Sequence, residues 1–120
     1  MSPKTSSASM LPLRLHWEKT CHALLDLTEK MPKRTRFTFV IRLESLALQI
    51  QSQLIHVQFT SSALRLQTLK DINLAHTQLK ALLRLAYQRK LVAHSHFETL
   101  STLLFESGKQ IGGWLKAHSS

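Results

Sequence analysis

From residue 33 to residue 107 the chain contains neither glycine nor proline. These two residue types mark turns and interrupt helices, so a fold with many turns would need them more often. A stretch of this length without them favours long helices joined by short links. Of the 120 residues, 43% are hydrophobic, which is enough for a packed core and argues against a wholly disordered chain.

Apolar residues recur at steps of three and four in four segments, the spacing that places side chains on one face of a helix. The first segment begins at Leu13 and stops before Pro32, because proline disfavours helical geometry in the preceding residue. The next three are predicted to cover about residues 34–58, 63–90 and 95–118. The predicted inner faces are Trp17, Cys21, Leu24, Leu25, Thr28 and Met31; Val40, Leu43, Ala47, Ile50, Leu54 and Val57; Leu69, Ile72, His76, Leu79, Leu83 and Ala86; and Phe97, Leu100, Leu104, Ser107, Ile111 and Trp114.

The predicted fold is all-α, an antiparallel up-down-up-down four-helix bundle over residues 13–118, because short links make successive helices antiparallel neighbours. Residues 1–12 carry four serines and two prolines and are predicted to form a disordered tail. They contain no apolar stretch typical of a signal peptide, and no run of about 18 apolar residues predicts a membrane span. We therefore expect a cytoplasmic protein without a membrane partner.

A second apolar row on the second helix, Ile41, Leu48 and Ile55, repeats every seven residues. It lies well over 90° around the helix from the inner face, so a four-helix monomer would leave part of it in water. We therefore expect a homo-oligomer with this row at a subunit contact. In the fourth helix, small residues four apart allow close helix approach, and aromatic residues supply anchors. The candidate interface residues there are Phe105, Gly108, Gly112 and Trp114.

The net charge of +9 is concentrated in two helices. Residues 33–58 carry four Lys and Arg against one acidic residue, and residues 63–90 carry six against one, whereas the first and fourth helices are balanced. Such a field attracts polyanions. The predicted nucleic-acid-binding residues are Lys33, Arg34, Arg36, Arg42, Arg65, Lys70, Asn73, Thr77, Lys80, Arg84, Arg89 and Lys90.

Five of these residues form one polar stripe on the third helix, which we call the α3 stripe. Its members follow steps of three and four and include no acidic residue: Lys70, Asn73, Thr77, Lys80 and Arg84. Lysine and arginine neutralise phosphates, while asparagine and threonine add hydrogen bonds to phosphate or sugar oxygens. The stripe therefore predicts contact with nucleic acid, and the alternative is an ordinary solvated helix face.

The sequence offers no catalytic centre. Its carboxylates stand at no spacing that pairs them, and no HExxH, CxxC, phosphate-loop or serine-nucleophile motif is present. His94 and His96 are two apart and point to different sides of a helix, and His76 is interpreted as a hydrogen-bonded core residue. We expect no enzyme activity, no metal and no cofactor. The single Cys21 cannot form an intramolecular disulfide and is interpreted as a small buried hydrophobic residue.

The fourth helix ends in the segment Ser107-Gly108-Lys109-Gln110-Ile111-Gly112-Gly113-Trp114-Leu115-Lys116-Ala117. This ending, above all Gly112-Gly113-Trp114-Leu115, resembles the accessory variability determinant proteins of diversity-generating retroelements. These are grouped with four-helix-bundle proteins encoded in ribosomal RNA intervening sequences. The break Lys30-Met31-Pro32-Lys33 resembles the link between the first two helices of the same family.

The resemblance implies a ring- or barrel-shaped homo-oligomer, a pentamer, with a basic surface. It also implies two partners, the reverse transcriptase of the same element and its template RNA or the RNA/cDNA product. In that role the protein supports mutagenic cDNA synthesis without catalysing it. Two alternatives stay open: a basic scaffold that binds an acidic protein, and a ribosomal RNA intervening-sequence bundle protein with no reverse-transcriptase partner.

Overall fold

The computed structural model describes residues 3–119, with side chains from residue 10 onward. These residues form four α-helices: α1 Pro3–Glu29, α2 Ile41–Gln58, α3 Ser62–Gln88 and α4 His94–His118. A 3₁₀ turn, Lys33–Thr35, and a π-helical turn, Arg36–Val40, precede α2. The predicted all-α class is confirmed, and no strand occurs among residues 3–119.

Each helix packs against two others, α1 against α2 and α4, and α3 against the same two. The molecule measures 50 × 22 × 20 Å. The links at residues 30–40, 59–61 and 89–93 are too short to run back along a 50 Å bundle, since an extended chain covers only about 3.5 Å per residue and residues 33–40 are themselves coiled into helical turns. Consecutive helices are therefore antiparallel, in the up-down-up-down order that the sequence predicts.

The core lies along the predicted inner faces of α2, α3 and α4. Leu43, Ile50 and Leu79, for example, are fully buried. In α1 the prediction is wrong at Leu25, which is 43% exposed. Leu24 and Leu25 stand about 100° apart on a helix, so only one of them can face the core, and Leu24 does.

Two polar contacts tie α1 to α2. The indole Nε1 of the fully buried Trp17 donates a hydrogen bond to the Ala47 carbonyl oxygen at 3.0 Å. Nearer the other end of α1, the Thr28 hydroxyl donates to the Glu44 carboxylate at 2.6 Å. A buried indole N–H or hydroxyl that found no acceptor would destabilise the fold. These contacts therefore let large or polar side chains occupy the α1–α2 seam.

The first helix begins earlier than the sequence predicts. It starts at Pro3, and Met10 is only 3% exposed, so residues 10–12 belong to the bundle and not to a disordered tail. Pro12 lies inside the helix on its exposed side, where its missing N–H removes one helical hydrogen bond. Burial of Met10 and Leu13 on either side offsets that cost. Residues 1–2 of the predicted tail lie outside the described residues.

Candidate nucleic-acid interface

The α3 stripe lies beside α4. All five of its side chains are exposed, as the sequence predicts. Asn73, Lys80 and Arg84 line an open groove of about 420 Å³ between α3 and α4, which we call the α3–α4 groove. From residue 70 to residue 84 the stripe extends about 21 Å at the helical rise of about 1.5 Å per residue. The stripe is therefore polar, free of acidic residues and accessible to a ligand. Its contact with nucleic acid stays a prediction.

The opposite wall of the groove comes from α4 and includes Ser101, Phe105, Gly108 and Lys109. Phe105 is 64% exposed. The Lys109 Nζ lies 5.2 Å from the centroid of the Phe105 ring, a cation–π distance. The same Nζ lies 3.4 Å from a carboxylate oxygen of Glu106. The groove therefore has cations on both walls, two from α3 and one from α4.

Beneath the groove lies a buried polar pair, His76 and Ser107. The His76 Nε2 and the Ser107 Oγ are 2.8 Å apart, and the Ser107 hydroxyl also donates to the Leu104 carbonyl oxygen at 3.1 Å. Burial lowers the pKa of His76 to about 4, the neighbouring Lys80 charge adds to the lowering, and a backbone hydrogen bond at Leu104 opposes it. The ring is therefore neutral at pH 7, as expected for a hydrogen-bonded core histidine.

Gly108 brings α4 close to this pair. A Cβ atom at Gly108 would lie 3.3 Å from the His76 Cε1, tighter than most real Cβ contacts. A Cβ at Gly112 or Gly113 would meet no atom within 4 Å. Close helix approach therefore explains the glycine at position 108, whereas within one chain it does not explain the glycine at 112. A subunit contact at Gly112 stays a prediction.

The bundle topology brings two further basic segments to one end of the molecule, which we call the cationic end. The α1–α2 link carries Lys33, Arg34 and Arg36, and the α3–α4 link carries Arg89 and Lys90. All five side chains are exposed, and the end is only about 22 × 20 Å across. No acidic residue occurs from 30 to 43 or from 72 to 97, so these two segments carry no internal countercharge.

Local backbone structure presents these cations to solvent. Thr35 is 6% exposed and donates its hydroxyl to the Pro32 carbonyl oxygen at 2.6 Å, so Arg34 and Arg36 on either side of it project outward. At the other link Lys90 has a φ of 61°, in the left-handed region. There the Leu91 N–H donates back to the Ala86 carbonyl oxygen at 2.9 Å, the helix-ending pattern that usually takes glycine.

The bAvd-like family matches residues 11–118, a span that holds α2, α3 and α4, just over two thirds of α1, the α3–α4 groove and the cationic end. The chain belongs to the bAvd-like family. This confirms the resemblance to accessory variability determinant proteins that the end of α4 suggests. A search of curated proteins finds no significant match.

One predicted nucleic-acid contact of this bAvd-like chain is wrong. Arg65 is 4% exposed, and its Nε donates to the Thr60 carbonyl oxygen at 2.9 Å across the α2–α3 link. It stands four residues before Leu69 and seven before Ile72, on the core side of α3, where an arginine buries its aliphatic stem. Arg65 therefore stabilises the α2–α3 link. Every other cation among the predicted nucleic-acid-binding residues, including Arg42, is exposed.

Sequence reasoning missed Lys109 at the groove and Phe37 at the cationic end, which is 81% exposed. Net charge per helix does not reveal Lys109, because the two lysines and two glutamates of α4 balance each other. The signal that could have found it is the four-residue step from Phe105 to Lys109 beside Gly108, which puts all three on one side of α4.

The predicted subunit-contact residues of the α2 row are exposed: Ile41 at 50%, Leu48 at 56% and Ile55 at 39%. Trp114 is half-buried and packs against the core. The expected exposure of the row is confirmed, and its use between subunits stays a prediction. Within the described part of the chain, no helix is long and apolar enough to cross a membrane. In the same residues, no three His, Cys, Asp or Glu side chains are grouped so that they could hold a metal ion.

Proposed function

We propose that this protein is a non-catalytic, cytoplasmic accessory factor of a diversity-generating retroelement. It binds the element's reverse transcriptase and its template RNA, or the RNA/cDNA product, and supports mutagenic cDNA synthesis. The family match over residues 11–118 supports the accessory role. The observation that carries RNA binding is the exposed α3 stripe, which runs along the α3–α4 groove and leads to the cationic end.

The arrangement of charge suits a polyanion better than a small anion. The cations are spread along α3 and around one end of the bundle, and they are exposed, so they can reach successive phosphates of one strand. Each neutralised phosphate releases counterions, which makes affinity fall steeply with salt. The same field attracts RNA over long distances at low salt. A protein scaffold with an acidic partner would need matching carboxylates, and it is the second candidate.

The working form is proposed to be a homo-oligomer, a pentameric barrel as the family resemblance implies. The exposed row Ile41, Leu48 and Ile55 supports a subunit contact. Ser45 and Ser52 stand between these residues at helical spacing, so the face is uncharged along most of α2. An uncharged aliphatic face of this length, rimmed by polar residues, is typical of an interaction surface.

Gel shifts with structured RNA over a salt series test the stripe. Lys80→Ala/Arg84→Ala removes two groove cations and should lower the slope of log affinity against log salt by about 1.5, since each phosphate contact contributes about 0.7 to 0.9. The matched control is Lys19→Ala/Lys116→Ala, which removes two exposed cations from α1 and α4 outside the groove. Equal slopes for the two variants would contradict the stripe as the RNA-binding surface.

Copurification with a reverse transcriptase encoded near this gene, before and after ribonuclease treatment, tests the partner. Recovery of both polymerase and RNA is expected. Recovery of an acidic protein without RNA, together with no gel shift, would favour the scaffold. A gene located in a ribosomal RNA intervening sequence, with no reverse-transcriptase gene nearby, would favour an intervening-sequence bundle protein that has no reverse-transcriptase partner.

A further inference from the structure

The α3–α4 groove contains more than a phosphate-binding surface needs. Phosphates require cations and hydrogen-bond donors, which Lys80, Arg84 and Lys109 supply. The groove also has an aromatic wall, Phe105, and an apolar floor that includes Leu83. Aromatic and apolar surface contributes nothing to phosphate binding, but it stacks on the flat faces of nucleobases, each of which presents a π-face.

Phe105 is placed to stack. The residue is 64% exposed and lines the groove, and the Lys109 Nζ lies 5.2 Å from the ring centroid. Aromatic rings of this kind hold unpaired bases in single-strand-binding proteins, with about 1–3 kcal/mol lost per base on substitution by alanine. Nearby cations then meet the phosphates on either side of the stacked base.

The groove is kept open by small side chains on α4. Ser101 stands one turn before Phe105, and Gly108 leaves the space above the His76 ring free, where a Cβ would already lie 3.3 Å from the Cε1 atom. Asn73 and Ser101 face the groove from opposite walls with groups that can donate and accept hydrogen bonds. Polar groups on both sides of an aromatic wall match the edge of a base as well as its face.

We propose that the α3–α4 groove takes one unpaired base of the bound RNA. Phe105 stacks on the base, while Lys80, Arg84 and Lys109 contact the flanking phosphates. The inference rests on the proposed RNA-binding function and adds that the RNA is held at a single-stranded or bulged nucleotide. A base inside an A-form duplex is stacked on its neighbours and paired with the opposite strand, so it cannot enter the groove without a cost of a few kcal/mol for unstacking and unpairing.

The test compares the binding of a single-stranded RNA oligonucleotide and of a blunt duplex of equal length by fluorescence anisotropy over a series of salt concentrations. Phe105→Ala should weaken single-strand binding about 5- to 100-fold and leave duplex binding and the salt slope unchanged. Phe105→Tyr should bind like the unmodified protein. The matched control is Phe59→Ala, since Phe59 is an 82% exposed aromatic outside the groove.

A second variant blocks the groove without removing the ring. Ser101→Leu should produce the same selective loss of single-strand binding, because its side chain occupies the space beside Phe105. Circular dichroism checks that both variants stay folded, and light scattering reports their mass. A lower mass for Phe105→Ala would place this ring at a subunit contact and would overturn the inference.

The remaining outcomes distinguish a failure of base binding in the groove from a failure of RNA binding as a whole. If Phe105→Ala weakens single-strand and duplex binding equally, or weakens neither, the base-binding groove is wrong while RNA binding stands. If the unmodified protein binds neither RNA across the salt series, the proposed function itself fails, and the groove proposal fails with it.

Discussion

The buried ring of His76 should make the stability of the bundle depend on pH between about 6.5 and 4. In the unfolded chain a histidine has its ordinary pKa of 6.5, whereas burial lowers the pKa of His76 to about 4 in the folded protein. Above pH 6.5 the ring is neutral in both states. As the pH falls below 6.5, the unfolded chain binds a proton that the folded chain does not, so the free energy of unfolding decreases.

The size of this effect follows from the gap between the two pKa values. One pKa unit corresponds to about 1.4 kcal/mol, so the full loss between pH 6.5 and pH 4 is about 3 kcal/mol. This is an upper bound, because the ring lines the open groove and could turn toward water once protonated. A loss of that size is a large fraction of the stability of an ordinary domain, about 5–15 kcal/mol.

Urea unfolding monitored by circular dichroism at pH 7, 6, 5 and 4 measures the effect, with His76→Gln as the reference. Glutamine can still hydrogen-bond Ser107, but it does not titrate. The other histidines and the carboxylates are common to both proteins, so their contributions cancel in the difference. The unmodified protein should lose up to about 3 kcal/mol more than His76→Gln over this range. Parallel pH profiles for the two proteins would refute the reasoning.

Three further outcomes are expected. Lys90→Gly should raise the free energy of unfolding by about 1 kcal/mol in urea titrations, because glycine adopts the φ of 61° without strain, whereas Lys90→Ala should give no gain. Burial and the Glu18 charge raise the pKa of Cys21 from 9.0 to about 11, so its alkylation by iodoacetamide at pH 7.5 should be about 100-fold slower than in the urea-unfolded chain; equal rates would contradict this. Leu48→Glu should lower the mass measured by light scattering. A closed ring needs two different contact patches, and Leu74 on α3, which is 59% exposed, is a candidate for the second, so Leu74→Glu should then lower the mass as well. In a twofold dimer, which uses one patch, only Leu48→Glu should lower the mass.

The helical fold could be predicted because its signal is periodic and local. Within α2 and within α3 no glycine or proline interrupts the steps of three and four, so the inner faces of these two helices follow from spacing alone. The start of α1 could not be predicted in the same way. Pro12 marks a boundary by every local rule, and only the burial of Met10 in the assembled core outweighs it.

The candidate site was partly predictable from the sequence. The wrong prediction at Arg65 and the missing prediction at Lys109 have the same physical cause. Arg65 and Lys109 carry the same charge, and what separates them is their angle around the helix. Arg65 repeats the spacing of the core positions in α3, whereas Lys109 repeats the spacing of the groove positions in α4. Net charge per helix hides that difference. The meeting of the two basic links at one end depends on the antiparallel order of the helices, which no single segment encodes.

The row Ile41, Leu48 and Ile55 and the α3–α4 groove lie on different sides of the bundle, so a copy seated on this row does not cover the groove. Ile41 and Leu48 each stand one helical turn from Glu44, which contacts α1 through Thr28, so this row lies along the α1–α2 seam. Leu25 stands one turn from Thr28 on the same seam and is also exposed. The groove lies between α3 and α4, across the bundle from that seam. A second copy seated on the α1–α2 face therefore leaves the groove of this copy open. In a closed ring the second contact patch must also lie outside the groove, and the mass of Phe105→Ala measured by light scattering tests this.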